Sequence, residues 1–284
     1  LLLLRIAPIR LAPDQPWELD KQVFVTHRVF KLSTFIALAA LALLIAGPLV
    51  HRPQTFAVHS FAGTNGPVLT NAAAPAPGLP AVAAQRLFPI YGGRFELDLF
   101  EVPTLGAPTN PHVIVSLFDY TCHHCRSMHS TLLEVQSIFS NSLCIVSLPM
   151  PLDPACNPTM TRPNPKHTNA CDLAKISLAV WRADRTKHHA FDDWLMVGDT
   201  PPKLVDAEQH AAKLVGLPGL KKAMQDPWVE QQLKINVGMY ELAYRAGRGS
   251  MPQLIIGSNV TLGILQAPQL IGLLTNQFAL KPLR

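Results

Sequence analysis

Only five of the 284 residues are cysteine, and a second C-x-x-C is absent. That excludes a zinc site built on paired C-x-x-C motifs, which would need two further ligands at a set spacing. No basic stripe runs along the chain despite a formal net charge of +5, so nucleic acid is excluded as a partner. The charge is also unevenly spread. Residues 1–52 hold Arg5, Arg10, Lys21, Arg28, Lys31 and Arg52 against Asp14, Glu18 and Asp20, a balance of +3. Residues 53–90 contain Arg86 and no acidic residue, which leaves about +1 for residues 91–284. The basic character is mainly that of the N-terminal flank. No internal repeat is evident.

That flank leads into Ser33–Val50, a stretch of 18 residues without a charge. As a helix it spans about 27 Å, close to the hydrocarbon thickness of a bilayer. A transmembrane helix over 33–50 is expected, the competing reading being a cleaved signal peptide. Basic residues lie mainly before the span, so the positive-inside rule puts residues 1–32 in the cytoplasm. The remainder is then extracytoplasmic, on the periplasmic side of the cell membrane, where thiols can be kept oxidised. The opening Leu1–Leu4 followed by Arg5 is read as the remnant of something longer, either the end of an earlier transmembrane helix or a misplaced start. Residues 51–90, rich in Ala, Pro and Gly, are expected to form a disordered linker. Such a coil would reach roughly 35 Å.

The most informative residues are Cys122-His123-His124-Cys125. They follow the apolar run Val113–Phe118 and precede a helix-like stretch, Ser127–Phe139. A C-x-x-C where a strand passes into a helix is the geometry of a dithiol/disulfide redox centre. The first sulfur meets the unpaired N–H groups of the helix start, which favour a thiolate. The second lies about one turn on, within reach of a disulfide. Around this unit, Phe95–Phe100 alternates as a half-buried strand and Leu143–Met150 forms a strand ending at Pro149 and Pro151. A mostly helical block follows over about 152–249. Gln253–Ile256 and Val260–Leu262 make a hairpin around Gly257-Ser258-Asn259, and Pro268–Phe278 closes as a helix.

This order, from Tyr91 onward, resembles the DsbA-like thiol–disulfide oxidoreductases. Phe118-Asp119-Tyr120-Thr121-Cys122-His123-His124-Cys125-Arg126 is similar to that family's active-site stretch. Ser250-Met251-Pro252 looks like its cis-proline loop, and the helical block lies where the family carries its insertion. The resemblance implies an α/β thioredoxin-like domain over 91–284 with a helical insertion, preceded by the membrane helix and linker. It implies Cys122 as nucleophile and Cys125 as resolving cysteine, with His123 and His124 supporting the thiolate. Met251 and Pro252 would receive a substrate strand. Thiol-containing proteins are the implied substrates, and the chemistry needs no cofactor and no metal. Together with the membrane span, the domain is similar to redox domains coupled to vitamin K epoxide reductase-like membrane proteins, which implies a membrane redox partner of that type. Two positions depart from the family pattern. Ser116 stands six before Cys122, where thioredoxin relatives often carry a buried acid, and His123 stands where the best-known members have proline.

Other readings remain open at this stage. His124, Met128, His129 and Met251 could serve a copper-binding carrier on the same scaffold, and a disulfide isomerase or reductase would use the same two cysteines. Cys156 and Cys171 flank a Pro-rich loop and form either a structural disulfide or two free thiols. Cys144 is read as a small buried apolar residue. Asp119 is expected to be partly exposed. Trp181, Trp194 and Trp228 are read as packing residues, and His188, His189 and His210 as solvated.

Overall fold

The structure is a computed structural model that describes residues 57–60, 69–70 and 85–281. The expected membrane segment 33–50, the flank 1–32 and the remnant at Leu1 lie outside the described residues. Among those described, no helix is long and apolar enough to cross a membrane.

The strands are β1 (Ala57–Ser60), β2 (Leu69–Thr70), β3 (Leu87–Ile90), β4 (Phe95–Asp98), β5 (Thr104–Leu105), β6 (His112–Phe118), β7 (Leu143–Pro149), β8 (Gln253–Ile256) and β9 (Asn259–Leu262). The helices are α1 (His123–Ile138), α2 (Ala170–Ala183), α3 (Arg185–Met196), α4 (Leu204–Val215), α5 (Leu217–Met224), α6 (Pro227–Arg245) and α7 (Ala267–Phe278). A mixed sheet runs in the order β1-β9-β8-β6-β7-β5, and a smaller one in the order β2-β4-β3. β6 and β7 are parallel and joined through α1, while β8 and β9 form an antiparallel hairpin beside β6.

Strand β6 holds the centre because its side chains are apolar on both faces. Val113, Val115 and Leu117 face one core, shared with α2, α3 and α6. Ile114 faces a second core with Met128, Leu132 and Val135 of α1 and Leu270 and Leu274 of α7. The period-2 alternation of a strand thus divides one sequence between two helical layers. The chain turns from α1 back into β7 at Phe139–Ser142. There Asn110 Nδ2 donates to the carbonyls of Ser140 and Leu143, at 3.0 and 2.9 Å.

The helical insertion is α2–α6, between β7 and β8, and it covers the face of the sheet opposite α1 and α7. It is tied to the turn after β6 by a buried polar chain. Tyr120 Oη donates to Asp192 Oδ1 at 2.5 Å and lies 2.7 Å from Ser177 Oγ, which is 3.0 Å from His188 Nε2. Trp181 and Trp228 are buried. The sulfurs of Cys156 and Cys171 are bonded, at 2.09 Å, and close the loop before α2.

Three expectations need correction. Strands β1, β2 and β3 fall inside residues 51–90, expected as a linker without strands. They run for only two to four residues each, too short for a period-2 signal to stand out. Their pairing with β9 and β4 comes from elsewhere in the chain. His188 is buried rather than solvated, and burial pushes its imidazole below the ordinary histidine range. His210 is half-buried and stacks on Trp194, ring centroids 4.4 Å apart. Both histidines were read from polarity alone, and their partners lie in other helices or on another turn.

The Cys156–Cys171 bridge closes a 15-residue separation. Replacing both cysteines with serine is expected to lower stability by about 3 kcal/mol. Guanidinium unfolding of the two chains measures this, and equal midpoints would refute it.

Candidate active site

The site forms where β6 ends and α1 begins. Asp119-Tyr120-Thr121 makes a tight turn, with Cys122 N–H donating to the Asp119 carbonyl at 3.0 Å. Cys122 is the N-cap of α1, in extended backbone conformation (φ −82, ψ 117). Its carbonyl already accepts the first helical bond, from Arg126 N–H at 3.1 Å. The helix therefore starts at His123, four residues before the expected Ser127. The side-chain pattern that marked the helix begins only after the active-site turn.

Both active-site cysteines are free thiols, and their exposures differ: Cys122 is 9% exposed and Cys125 1%. The Cys125 thiol donates a hydrogen bond to the Cys122 sulfur, and this contact is the main cause that lowers the Cys122 thiol below its ordinary value. Burial works against it. The unpaired backbone N–H groups of Cys125 and His124 at the helix start also lower it. Cys125 moves the other way. Burial pushes its thiol well above the ordinary value, and the hydrogen bond to Cys122 raises it further. The pair is thus one sulfur inclined to ionise and one inclined to keep its proton.

The imidazoles of His123 and His124 are exposed, 5.8 Å apart between ring centroids. The groups that lower the Cys122 thiol are the Cys125 thiol first, then the backbone N–H groups of Cys125 and His124. His123 lines an open groove of about 480 Å³, and His123 and His124 together line a second of about 410 Å³. Met251 and Pro252 are joined by a cis peptide bond. Met251 is packed into the main core, and Pro252 lines a small cavity with Cys125. The Pro252 carbonyl accepts from Gly263 N–H at 2.9 Å, which ties the loop to the hairpin.

Asp119 is 1% exposed, not partly exposed as expected. Its Oδ1 accepts from Thr121 N–H and Oγ1, each at 2.6 Å, and its Oδ2 from Leu152 N–H at 2.6 Å. His167 Nδ1 lies 3.6 Å from Oδ2 and 2.8 Å from Thr121 Oγ1. Burial lifts this carboxyl above the usual carboxylate range, against those hydrogen bonds. Its charge in turn opposes ionisation of both cysteines.

Sequence reasoning missed Arg126, His167 and Asp192. Arg126 is buried and spends all five of its donors on backbone carbonyls. Nε donates to Gly198, Nη1 to Tyr120 and Leu195, and Nη2 to Val197 and Thr200. It pins the active-site helix to the end of α3. Nothing local could have revealed this, because most of the acceptors lie some seventy residues away.

Two of the donors expected of a copper carrier already have other partners. Met128 Sδ accepts from Leu265 N–H at 3.5 Å, and His129 Nε2 is 2.8 Å from Asp193 Oδ1. Among the described residues, no group of three His, Cys, Asp or Glu is arranged to hold a metal ion.

Asp119→Asn removes a carboxylate that opposes the Cys122 thiolate. The pH midpoint for alkylation of Cys122 by iodoacetamide is expected to move toward acid, with faster alkylation at low pH. A midpoint that stays in place or moves toward alkali would contradict this electrostatic assignment.

No protein-family model matches the chain, and no curated protein matches it in sequence. Solved structures do match. The catalytic domain of Proteus mirabilis ScsC is 22% identical, with 63% of this chain and 90% of that chain covered and a TM-score of 0.50. A thioredoxin-like oxidoreductase from Silicibacter pomeroyi is 20% identical, covering 64% and 94%, with a TM-score of 0.49. The thiol–disulfide exchange protein α-DsbA2 of Wolbachia pipientis is 18% identical, covering 62% and 86%, with a TM-score of 0.48. At such identities the likeness is one of fold. With its βαβ unit, helical insertion and closing hairpin and helix, the chain has a thioredoxin-like fold.

Proposed function

We propose that this chain is a membrane-anchored thiol–disulfide oxidoreductase that oxidises thiols of exported proteins through Cys122-His123-His124-Cys125. The observation that carries this reading is the inequality of the two sulfurs. Cys122 sits at a helix start and is lowered toward its thiolate, while Cys125 is buried beside it and keeps its proton. In the oxidised form, a substrate thiolate attacks the Cys122 sulfur and Cys125 leaves. The mixed disulfide on Cys122 is then attacked by a second substrate thiol, and Cys122 departs as a stabilised thiolate. Stabilising that thiolate stabilises the reduced form, which makes the disulfide a stronger oxidant.

The grooves beside His123 and His124 and the loop at Met251 and Pro252 are where the substrate polypeptide would lie. Residues 33–50 would hold the domain at the membrane, with residues 1–32 in the cytoplasm and the redox domain on the periplasmic side. Re-oxidation of the pair would fall to a membrane partner of the vitamin K epoxide reductase type. A low potential would move the reading to the reductase or isomerase alternatives. No observation favours the copper carrier.

The oxidised full chain is expected to convert a dithiol peptide to its disulfide. Cys122→Ser should abolish turnover, and Cys125→Ala given the disulfide form of the peptide should accumulate a mixed disulfide on Cys122, one peptide thiol being released, visible by mass spectrometry. The reduction potential is expected well above the roughly −270 mV of thioredoxin. A value as low as thioredoxin's would reverse the assigned direction, and turnover that survives in Cys122→Ser would end the proposal.

A further inference from the structure

The exchange chemistry leaves one proton without a carrier. When a substrate thiolate displaces Cys125, the departing sulfur is left charged at a position that is 1% exposed. A thiolate in such surroundings is costly, and burial raises the thiol accordingly. The leaving sulfur must therefore take up a proton as it departs. Asp119 is badly suited, since its charge already opposes ionisation of both cysteines and its oxygens are engaged by Thr121 and Leu152. Ser116, where relatives often carry an acid, has no titratable group.

A cavity of about 10 Å³ lies behind Cys125, lined also by Ser116, His129, Ser147, Met196 and Pro252. It has room for about one water. His129 and Cys125 are its titratable lining residues. They are four positions apart on α1 and so share a face, one turn from each other. His129 also lines the open groove of about 480 Å³ on the outer side. It stands between the sheltered sulfur and solvent, with its side chain 13% exposed. Its Nε2 is 2.8 Å from Asp193 Oδ1, and the other Asp193 oxygen lies 3.5 Å from His189. The charged groups facing His129 are Asp192 and Asp193 from α3 and Arg126 from its own helix. Burial pushes the imidazole down and so does Arg126, but the two carboxylates outweigh them and its affinity for a proton is raised.

Resting on the exchange reading above, we propose that His129, oriented by Asp193, exchanges the proton of Cys125 across this cavity. In the oxidising direction, the substrate sulfur bonds to Cys122 and the Cys122–Cys125 bond breaks. Its electron pair goes to Cys125, which takes a proton from the His129 imidazolium. In reverse, the imidazole removes the Cys125 proton and the thiolate attacks the mixed disulfide. The Cys122–Cys125 bond re-forms and the substrate leaves as a thiolate. Asp193 is a positioning residue that acts through His129.

Ellman's reagent separates the steps in the reduced full chain. One thionitrobenzoate is released when Cys122 attacks the reagent, and a second when Cys125 resolves the mixed disulfide. In His129→Asn the ratio of second to first release rate is expected to fall by about tenfold or more near neutral pH. The pH profile of the second release should lose its histidine inflection and rise only toward the thiol range. In Asp193→Asn the inflection should move to lower pH, and this variant carries the test if His129→Asn does not fold. An unchanged ratio, both releases slowed equally, or an unmoved inflection in Asp193→Asn would overturn the assignment. A wild-type chain that releases a single equivalent would sink the exchange reading itself, and with it this inference.

Discussion

The placing of the Cys122 sulfur at the start of α1, beside the Cys125 thiol, sets the terms for the rest of the molecule. The Cys125 thiol and the backbone N–H groups of Cys125 and His124 all lower the Cys122 thiol. Those N–H groups are free because an α-helix cannot satisfy its own first donors. Cys122 occupies the N-cap, where an oxygen side chain would usually accept them. A sulfur there meets the unpaired N–H groups and the positive end of the helix dipole. The arrangement holds only if the turn Asp119–Cys122 and the first turn of α1 keep their geometry to within fractions of an ångström.

Much of the surrounding structure serves that requirement. β6 delivers the turn from the centre of the sheet, packed on both faces. Arg126 holds the next residue in place through five backbone carbonyls, four of them in the segment that ends α3. Tyr120 is anchored by Asp192 and Ser177, again from the insertion. The loop closed by Cys156–Cys171 brings His167 against Thr121 and Asp119. The insertion thus supplies polar anchors to nearly every residue of the active-site turn as well as apolar cover for one face of the sheet. A buried polar network of this kind is costly unless each member is paired, so it ties the turn to one arrangement.

The parts of this molecule that could be read from sequence are those whose signal is local. Gln253–Ile256 stood out through its apolar run and the turn residues after it, and Leu143–Met150 through its bounding prolines. The C-x-x-C at a strand–helix junction located the site. What could not be read depends on distant partners. β1 pairs with β9 across some two hundred residues, and four residues carry no periodicity of their own. Arg126 ends the active-site stretch, and its role is not legible there because four of its five carbonyl acceptors lie about seventy residues on. Asp119 looked exposed because it is charged and adjoins a turn. It is buried because Thr121, Leu152 and His167 close over it. His188 and His210 were misjudged for the same reason, since the residues that cover them come from other helices or other turns.

The central claim is that the start of α1 holds one sulfur toward its anion while the neighbouring sulfur keeps its proton. Ultraviolet titration of the thiolate in the reduced chain tests it most directly. The account requires a first sulfur, identified as Cys122 by its loss in Cys122→Ser, to ionise clearly below the ordinary cysteine value of about 8.5. The second must ionise well above it. A Cys122 midpoint at or above the ordinary value, or two sulfurs titrating together, would contradict the account.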